Sequence, residues 1–424
     1  MNVYDEFKWR DLIYDNTEGI EKILSKEKVS AYIGFDASAA SLHAGNLIPI
    51  MGLVRMQQYG HTPIPVVGGG TSLIGDPGGK STERPLLSKE EIAFNAEGIR
   101  AQLGRFLDFD NKKNPAIMVN NADWLCEINL TDFLRDIGKH FSISSMLAKE
   151  SVSARLESVG ISFTEFSYML LQSYDYLNLY EKYNCILQMG ASDQWGNITA
   201  GVDLIRRIHG AKAHALVFPL LTNSSGSKYG KSESGAVWLD ANLTSPYRFY
   251  QFWINTEDNE VITCLKSFTL MTQPEIEELA EAVKSEPEKR EAQKKLAQDV
   301  TRRVHGDEAF KKAEYASRVL FGEEIGNLSL TDLMDIFSEA PSVRMNISGF
   351  QQKGMALIDL ATSSGLVKSK GEARRLIEGG GIYLQNVRIT DTKRAVSIEH
   401  AIEGQVFILR KGQKEYRLVI VSED

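Results

Sequence analysis

Two short stretches far apart in the chain carry side chains suited to phosphate chemistry. Leu42-His43-Ala44-Gly45-Asn46 puts an imidazole and a small amide where an apolar strand gives way to an apolar helix. Lys228-Tyr229-Gly230-Lys231-Ser232 puts two ammonium groups and a hydroxyl in a Gly- and Ser-rich loop. Together they can clamp the phosphates of a nucleotide whose α-phosphate is under attack, a reaction that needs positive charge and positioning more than a covalent nucleophile. Singly, each is ordinary. A lone His at a helix start is more often a cap or a buried hydrogen-bonder, and an isolated Lys-x-x-Lys-Ser belongs by default to a solvated linker. Gly45 lets a backbone come close to a ligand, and a helix N-terminus favours anions.

Three further groups of residues invite a ligand. The run from Gly68 to Ser81 resembles a P-loop only superficially: with Gly79-Lys80-Ser81 as its end, the position that needs the first glycine is Ile74. It reads better as a ligand-facing loop in which Asp76 either accepts from an ammonium or simply forms a turn. Tyr168, Gln172 and Asp175 fall at i, i+4 and i+7, one face of a helix predicted over 163–183. Such a polar face amid Phe and Leu is costly unless it meets a polar ligand or a buried hydrogen-bond network, and both readings stand. Gln188 to Asn197 is a polar, glycine-punctuated run at a predicted strand end, where open α/β sheets bind ligands.

The elements that must position these residues are predicted as follows. A buried strand over 29–36, an apolar helix over 47–59 and a short strand over 62–67 begin an alternation that continues to about residue 222, implying a parallel α/β sheet. Residues 127–183 look mostly helical and cap or interrupt it. Helical sequence such as 273–283 and 289–304 follows, then a join over 321–352 punctuated by Gly322, Gly326, Pro341 and Gly349. A last α/β unit has helices over 356–362 and 370–378 and strands near 382–384 and 406–409. The fold class expected is thus α/β: a Rossmann-like parallel-sheet domain with a helical insertion (1–222), a phosphate-binding loop (223–235), an all-helical domain (236–320), the join (321–352) and a small α+β domain (353–424).

The bulk numbers agree. At 424 residues the chain exceeds one core, and 43% hydrophobic with 25% charged residues is ordinary for a globular protein. The net charge of −8 speaks against nucleic acid, but residues 351–424 carry 12 Lys and Arg against 9 Asp and Glu, a mildly basic unit on an acidic body. The polar N-terminus is no signal peptide, no apolar run spans a bilayer, and Cys126, Cys185 and Cys264 form neither a disulfide framework nor a zinc spacing. A cytoplasmic location, with no membrane partner, is expected.

These segments, in this order, resemble the class I aminoacyl-tRNA synthetases, and closely the bacterial-type tyrosyl-tRNA synthetases. The resemblance runs through Tyr32 to Asp36, Ser41 to Asn46 (the His-Ile-Gly-His element), Leu73 to Pro77, Val119 to Trp124, Gly160 to Tyr168, Ser192 to Ala200 and Lys228 to Ser232 (the Lys-Met-Ser-Lys-Ser element). In the tail, Ser369 to Ile377 and Gly381 to Val387 resemble an S4-type RNA-binding domain. Asn46 replaces the final His of the first element, Tyr229 and Gly230 replace Met and Ser of the second, and Ala37 stands where the family often has Pro. None of these removes a charge the chemistry requires.

The resemblance implies that ATP and tyrosine form tyrosyl-adenylate and pyrophosphate, and that the tyrosyl group then moves to the 3′ end of tRNA(Tyr). Asp76, Tyr168 and Gln172 would hold the tyrosine ammonium, and Tyr32 and Asp175 its phenol; this family is itself the standard worked case of a site that rejects phenylalanine by hydrogen-bonding the hydroxyl. Gly34, Asp36, Ser38, Gly45, Gly190, Asp193 and Gln194 would face ATP or the adenylate. His43, Asn46, Lys228, Lys231 and Ser232 would stabilise the α-phosphate and the leaving pyrophosphate, helped by Lys80 and Arg84. Mg²⁺ would arrive with ATP, with no dedicated metal site and no prosthetic group. Lys370, Arg374 and Arg375 would meet tRNA. A homodimer is implied, with 133–155 the candidate contact, although 141–147 suits a monomer core equally well. The rival readings are a tryptophanyl enzyme, a small nucleotidyltransferase and an RNA-binding scaffold without activity.

Overall fold

The computed structural model describes residues 2–76, 86–149, 152–153, 156, 160–222, 229–232, 235–326, 328–351, 353–413 and 415–423. Lys80, Arg84 and Lys228 lie outside them. The chain forms two compact units, Met1–Ser245 with Phe252–Val304, and Pro246–Gln251 with His305–Asp424.

The first unit is built on one sheet. Its strands are β1 (Asp15–Asn16), β2 (Ser30–Asp36), β3 (Thr62–Gly68), β4 (Val119–Asn120), β5 (Cys185–Ala191) and β6 (His214–Phe218), ordered β1-β6-β5-β2-β3-β4. Every pair is parallel except β1 with β6. Strand β6 is buried along its whole length and β3 nearly so, as expected of a parallel sheet covered on both faces. The chain steps outward from β2 through β3 to β4, then returns to place β5 on the other side of β2. That reversal is a topological switch point, and the crevice beyond the carboxyl ends of β2 and β5 is where such sheets take ligands.

The helices are locally specified. Helix Phe163–Tyr183 starts on a capping box, Ser162 Oγ accepting from Glu165 N at 3.2 Å while Glu165 returns a carboxylate oxygen to Ser162 N at 3.2 Å, and ends on Asn184 in the left-handed region (φ 48°). It packs on helix Trp195–His209 through Gly201, where an added Cβ would sit 2.9 Å from the Tyr176 ring. Helix Leu47–Gln58 leaves the His43 turn and is tied by buried Arg55 to the end of helix Val261–Phe268: its Nη2 donates to the carbonyls of Ser267 at 3.0 Å and Thr269 at 2.8 Å.

In the second unit a five-stranded sheet runs Val387–Ile389, Ile382–Leu384, Val406–Lys411, Glu415–Ser422, Ser342–Asn346, antiparallel except for the last pair. Gln385 and Asn386, both at positive φ (53° and 64°), make the two-residue turn of its hairpin. Alternation sorts the faces. Phe407 and Leu409 join Leu357, Leu360 and Ile377 of the helices Leu357–Ser363 and Lys370–Glu378, whereas Val406 and Ile408 pack on Val319, Leu333 and Phe337. The stretch 321–352, expected as a join, contributes helix Leu330–Ile336 and the edge strand Ser342–Asn346. Its glycines and proline do punctuate it, but Leu333 and Ile336 keep helical spacing and Val343 and Met345 alternate, so both pieces bury a face.

Candidate active site

A cavity of about 700 Å³ opens beyond the carboxyl ends of β2, β3, β5 and β6. Gly34, Asp36, Ser38, His43, Gly45, Asn46, Asp76, Asp193 and Gln194 line it, so the structure brings together most of the residues expected to face ATP. At Gly34 a side chain would meet nothing within 4 Å, leaving the strand backbone open to a ligand. Gly190 is not among the lining residues, and a Cβ added there would sit 3.0 Å from Ile198 Cδ1.

The two motifs meet through backbone. His43 is extended (φ −119°, ψ 170°) ahead of the turn Ala44–Asn46; its Nδ1 accepts from Gly45 N at 3.1 Å and its own N donates to Asn46 Oδ1 at 3.0 Å. With Nδ1 accepting, the imidazole proton belongs on Nε2. Strip 237–239 bridges the motifs. Val237 N donates to the Gly230 carbonyl at 3.0 Å, while Ala44 N donates to the Val237 carbonyl at 2.7 Å and Leu239 N to that of Leu42 at 2.8 Å. The backbone of Lys231–Ser232 continues as a strand paired with Gly235–Ala236.

Behind the cavity the face of helix Phe163–Tyr183 meets a continuous polar network. Tyr168 Oη donates to Asp36 at 3.0 Å, Asp36 accepts from Thr71 Oγ1 at 2.8 Å, and Thr71 accepts from Asn121 Nδ2 at 3.0 Å. Asn121 Nδ2 also reaches Asp175 at 2.9 Å, and Trp124 Nε1 donates to the other oxygen of Asp175 at 2.7 Å. Gln172 accepts from Asn197 at 3.1 Å, and Gln194 donates to Asp76 at 2.6 Å. Burial pushes the Asp175 carboxyl up to about 7, against the pull of Asn121 and Trp124, with the Asp36 charge adding to the rise. Burial, then Asp175, raises Tyr32 well above the ordinary phenol. The Tyr32 hydroxyl is buried and has no hydrogen-bond partner among the described residues.

The helix face therefore carries the buried network that the sequence reading left as one of two options, and the orphaned Tyr32 hydroxyl lies within its electrostatic reach. Sequence reasoning assigned no part to Thr71, Asn121 or Trp124. Asn121 and Trp124 lie in one resembling segment, but their role depends on β4 bringing them beside β3 and helix Phe163–Tyr183, which no local pattern announces.

Residues 24–322 match the family model for tRNA synthetases class I (W and Y), and the chain belongs to that family. Residues 332–419 match the tyrosine–tRNA ligase SYY-like C-terminal domain. Within the family the chain falls among the tyrosine–tRNA ligases: it is 53% identical to that of Roseiflexus castenholzii over 98% of this chain and 99% of the relative. It is 50% identical to tyrosine–tRNA ligase 1 of Bacillus subtilis over 99% of both. Among solved structures, a C-terminally truncated mitochondrial tyrosyl-tRNA synthetase from Aspergillus nidulans aligns with a TM-score of 0.69 at 29% identity, covering 76% of this chain and 94% of that one.

Proposed function

We propose that this chain, as a tyrosine–tRNA ligase, uses the cavity for MgATP and the network behind it for tyrosine. The tyrosine carboxylate attacks the α-phosphate, pyrophosphate leaves, and the resulting tyrosyl-adenylate gives its acyl group to the 3′ end of tRNA(Tyr). The observation that carries the reading is a buried Tyr32 hydroxyl with no hydrogen-bond partner among the described residues, together with a buried, already bonded Asp175. A substrate phenol satisfies both, donating to Asp175 and accepting from Tyr32. A phenyl ring leaves the hydroxyl orphaned, which costs about 1–3 kcal/mol per group. Asp76, Tyr168 and Gln172 supply acceptors for the ammonium, and Asp36 sits at the junction of amino acid and nucleotide. Gly34, Ser38, Gly45, Gly190, Asp193 and Gln194 take the nucleotide, and His43, Asn46, Lys228, Lys231 and Ser232 the phosphates, with Lys80 and Arg84 on the leaving pyrophosphate.

Amino-acid-dependent exchange of labelled pyrophosphate into ATP tests this. Exchange with tyrosine, and with neither tryptophan nor phenylalanine, is expected. Exchange with tryptophan overturns the Tyr32–Asp175 assignment, and none with any of the three makes the chain an RNA-binding scaffold.

The basic tail contacts tRNA. Lys370, Arg374 and Arg375 are exposed on helix Lys370–Glu378, Lys370 pairing with Asp359 at 2.6 Å. Because the tail strands also cover Val319, Leu333 and Phe337, substitution is a cleaner probe than deletion. Arg374→Glu with Arg375→Glu is expected to raise KM for tRNA about tenfold or more, by loss and reversal of phosphate contacts, while tyrosine-dependent exchange stays unchanged. Loss of exchange would refute that division of labour.

The working form is a homodimer. Leu134, Ile143 and Leu147 are exposed, at 51%, 61% and 40%, in the stretch named as the contact, while Phe133, Ile137 and Met146 face inward. Ile143→Asp with Leu134→Asp is expected to weaken self-association about a hundredfold in sedimentation, by placing charge in an apolar contact. Unaltered association would move the contact elsewhere. No helix among the described residues is long and apolar enough to cross a membrane. The free thiols of Cys126, Cys185 and Cys264 suit the reducing cytoplasm.

A further inference from the structure

Tyr229 sits one residue after Lys228 and two before Lys231, yet it is 8% exposed. Its ring stacks on Phe268 with centroids 5.6 Å apart and lies 5.5 Å from Phe252 and 5.9 Å from Trp253. Its hydroxyl is bonded deep in this pocket. Cys264 Sγ donates to it at 3.1 Å, and Thr256 Oγ1 lies within hydrogen-bond distance at 3.3 Å. Burial holds the Cys264 thiol at about 12, so it stays a donor.

The other side of Tyr229 is backbone against backbone. Tyr229 N donates to the Leu221 carbonyl at 2.8 Å. Its carbonyl oxygen would be 2.8 Å from a Cβ at Gly45, and a Cβ at Gly230 would be 2.4 Å from Gly45 N, with Gly230 at φ +89°. The peptide 229–230 therefore rests directly on the His43 turn, through two positions that tolerate no side chain. An aromatic group buried among three others, and tethered at its far end, is a large fixed contact at a point where the two motifs touch.

We propose that Tyr229 is a positioning residue: its ring, keyed among Phe252, Trp253 and Phe268 and held by Thr256 and Cys264, fixes against the His43 turn the 229–230 peptide that in sequence joins Lys228 to Lys231. This rests on the reading that those lysines grip the phosphates. It acts through them, since misplacing a charge by about an ångström can cost a hundredfold in rate. The hydroxyl trims the depth of insertion, and the ring supplies most of the hold.

The test separates nucleotide chemistry from tyrosine binding. Tyr229→Leu is expected to slow single-turnover adenylate formation by about tenfold or more, with the Kd for tyrosine, measured by equilibrium dialysis without ATP, within about twofold of the parent. Tyr229→Phe, which keeps the ring, should recover the rate to within about threefold of the parent. Gly230→Ala leaves the aromatic pocket intact but forces a Cβ into Gly45 N, and should give the same split if the Leu variant does not fold. Parent-like rates in both Tyr229→Leu and Gly230→Ala overturn the role of Tyr229, as does a rate loss matched by an equal loss of tyrosine affinity. A parent enzyme with no tyrosine-dependent exchange instead overturns the reading of the lysines.

Discussion

Acidification from about pH 8 to about pH 6 is expected to weaken tyrosine binding about tenfold, and Asp175→Asn to weaken it about a hundredfold at pH 8 while flattening the pH dependence. Asp175 is buried, and its carboxyl is pushed up to about 7. The sign follows directly. Above about 7 the group is a carboxylate that accepts the substrate's phenol proton. Below it, the carboxyl holds its own proton and competes as a donor with Asn121 and Trp124, which both already donate to it. The substrate phenol titrates far above this range, so the enzyme group controls the profile. In the free protein, the raised value means that this group's contribution to stability is full below the ordinary carboxylate range and is lost as pH rises through about 7. Binding should therefore strengthen over the interval in which this one group destabilises the fold. Equilibrium dialysis without ATP removes the titration of ATP phosphates. A flat profile for the parent enzyme would remove Asp175 from phenol recognition.

His43→Ala is expected to cut the rate of adenylate formation by about a hundred- to a thousandfold with little change in tyrosine affinity, the range typical for loss of one preorganised donor to developing charge. The bond from Gly45 N to His43 Nδ1 fixes the tautomer, making Nε2 the donor. The Asn46 amide holds the His43 backbone from the other side, so the ring is set before substrate arrives. Preorganisation of this kind acts on the transition state more than on the ground state, which places the loss in kcat. Single-turnover measurements at saturating tyrosine read it. An unchanged rate would return His43 to the role of an ordinary helix cap.

Much of this was legible in the chain. Helices 163–183 and 370–378 have the bounds the pattern predicts, because a capping box and an αL Asn delimit the first and a Ser cap the second. The parallel sheet follows from apolar runs alternating with helices, and the cavity gathers His43, Gly45, Asn46, Asp76, Asp193 and Gln194, whereas Tyr168, Gln172 and Asp175 are not among its lining residues. Residues 321–352 show where local reading ran short: breakers are visible residue by residue, whereas strand Ser342–Asn346 is defined by its parallel pairing with Glu415–Ser422, more than seventy residues on.

The sequence by itself determined the family, the order of the secondary elements and the residue types that the reaction needs, because these depend on short-range periodicity, caps and motif spacing. Tertiary structure alone decided which groups share a proton or a contact. Asn121 and Trp124 came to Asp175 through the register of β3 with β4, the Tyr32 hydroxyl was left without a hydrogen-bond partner among the described residues by burial from several elements at once, and Tyr229 met Phe268 and Gly45 across gaps of 39 and 184 residues. Those are properties of packing between distant segments, and no window of sequence contains both partners.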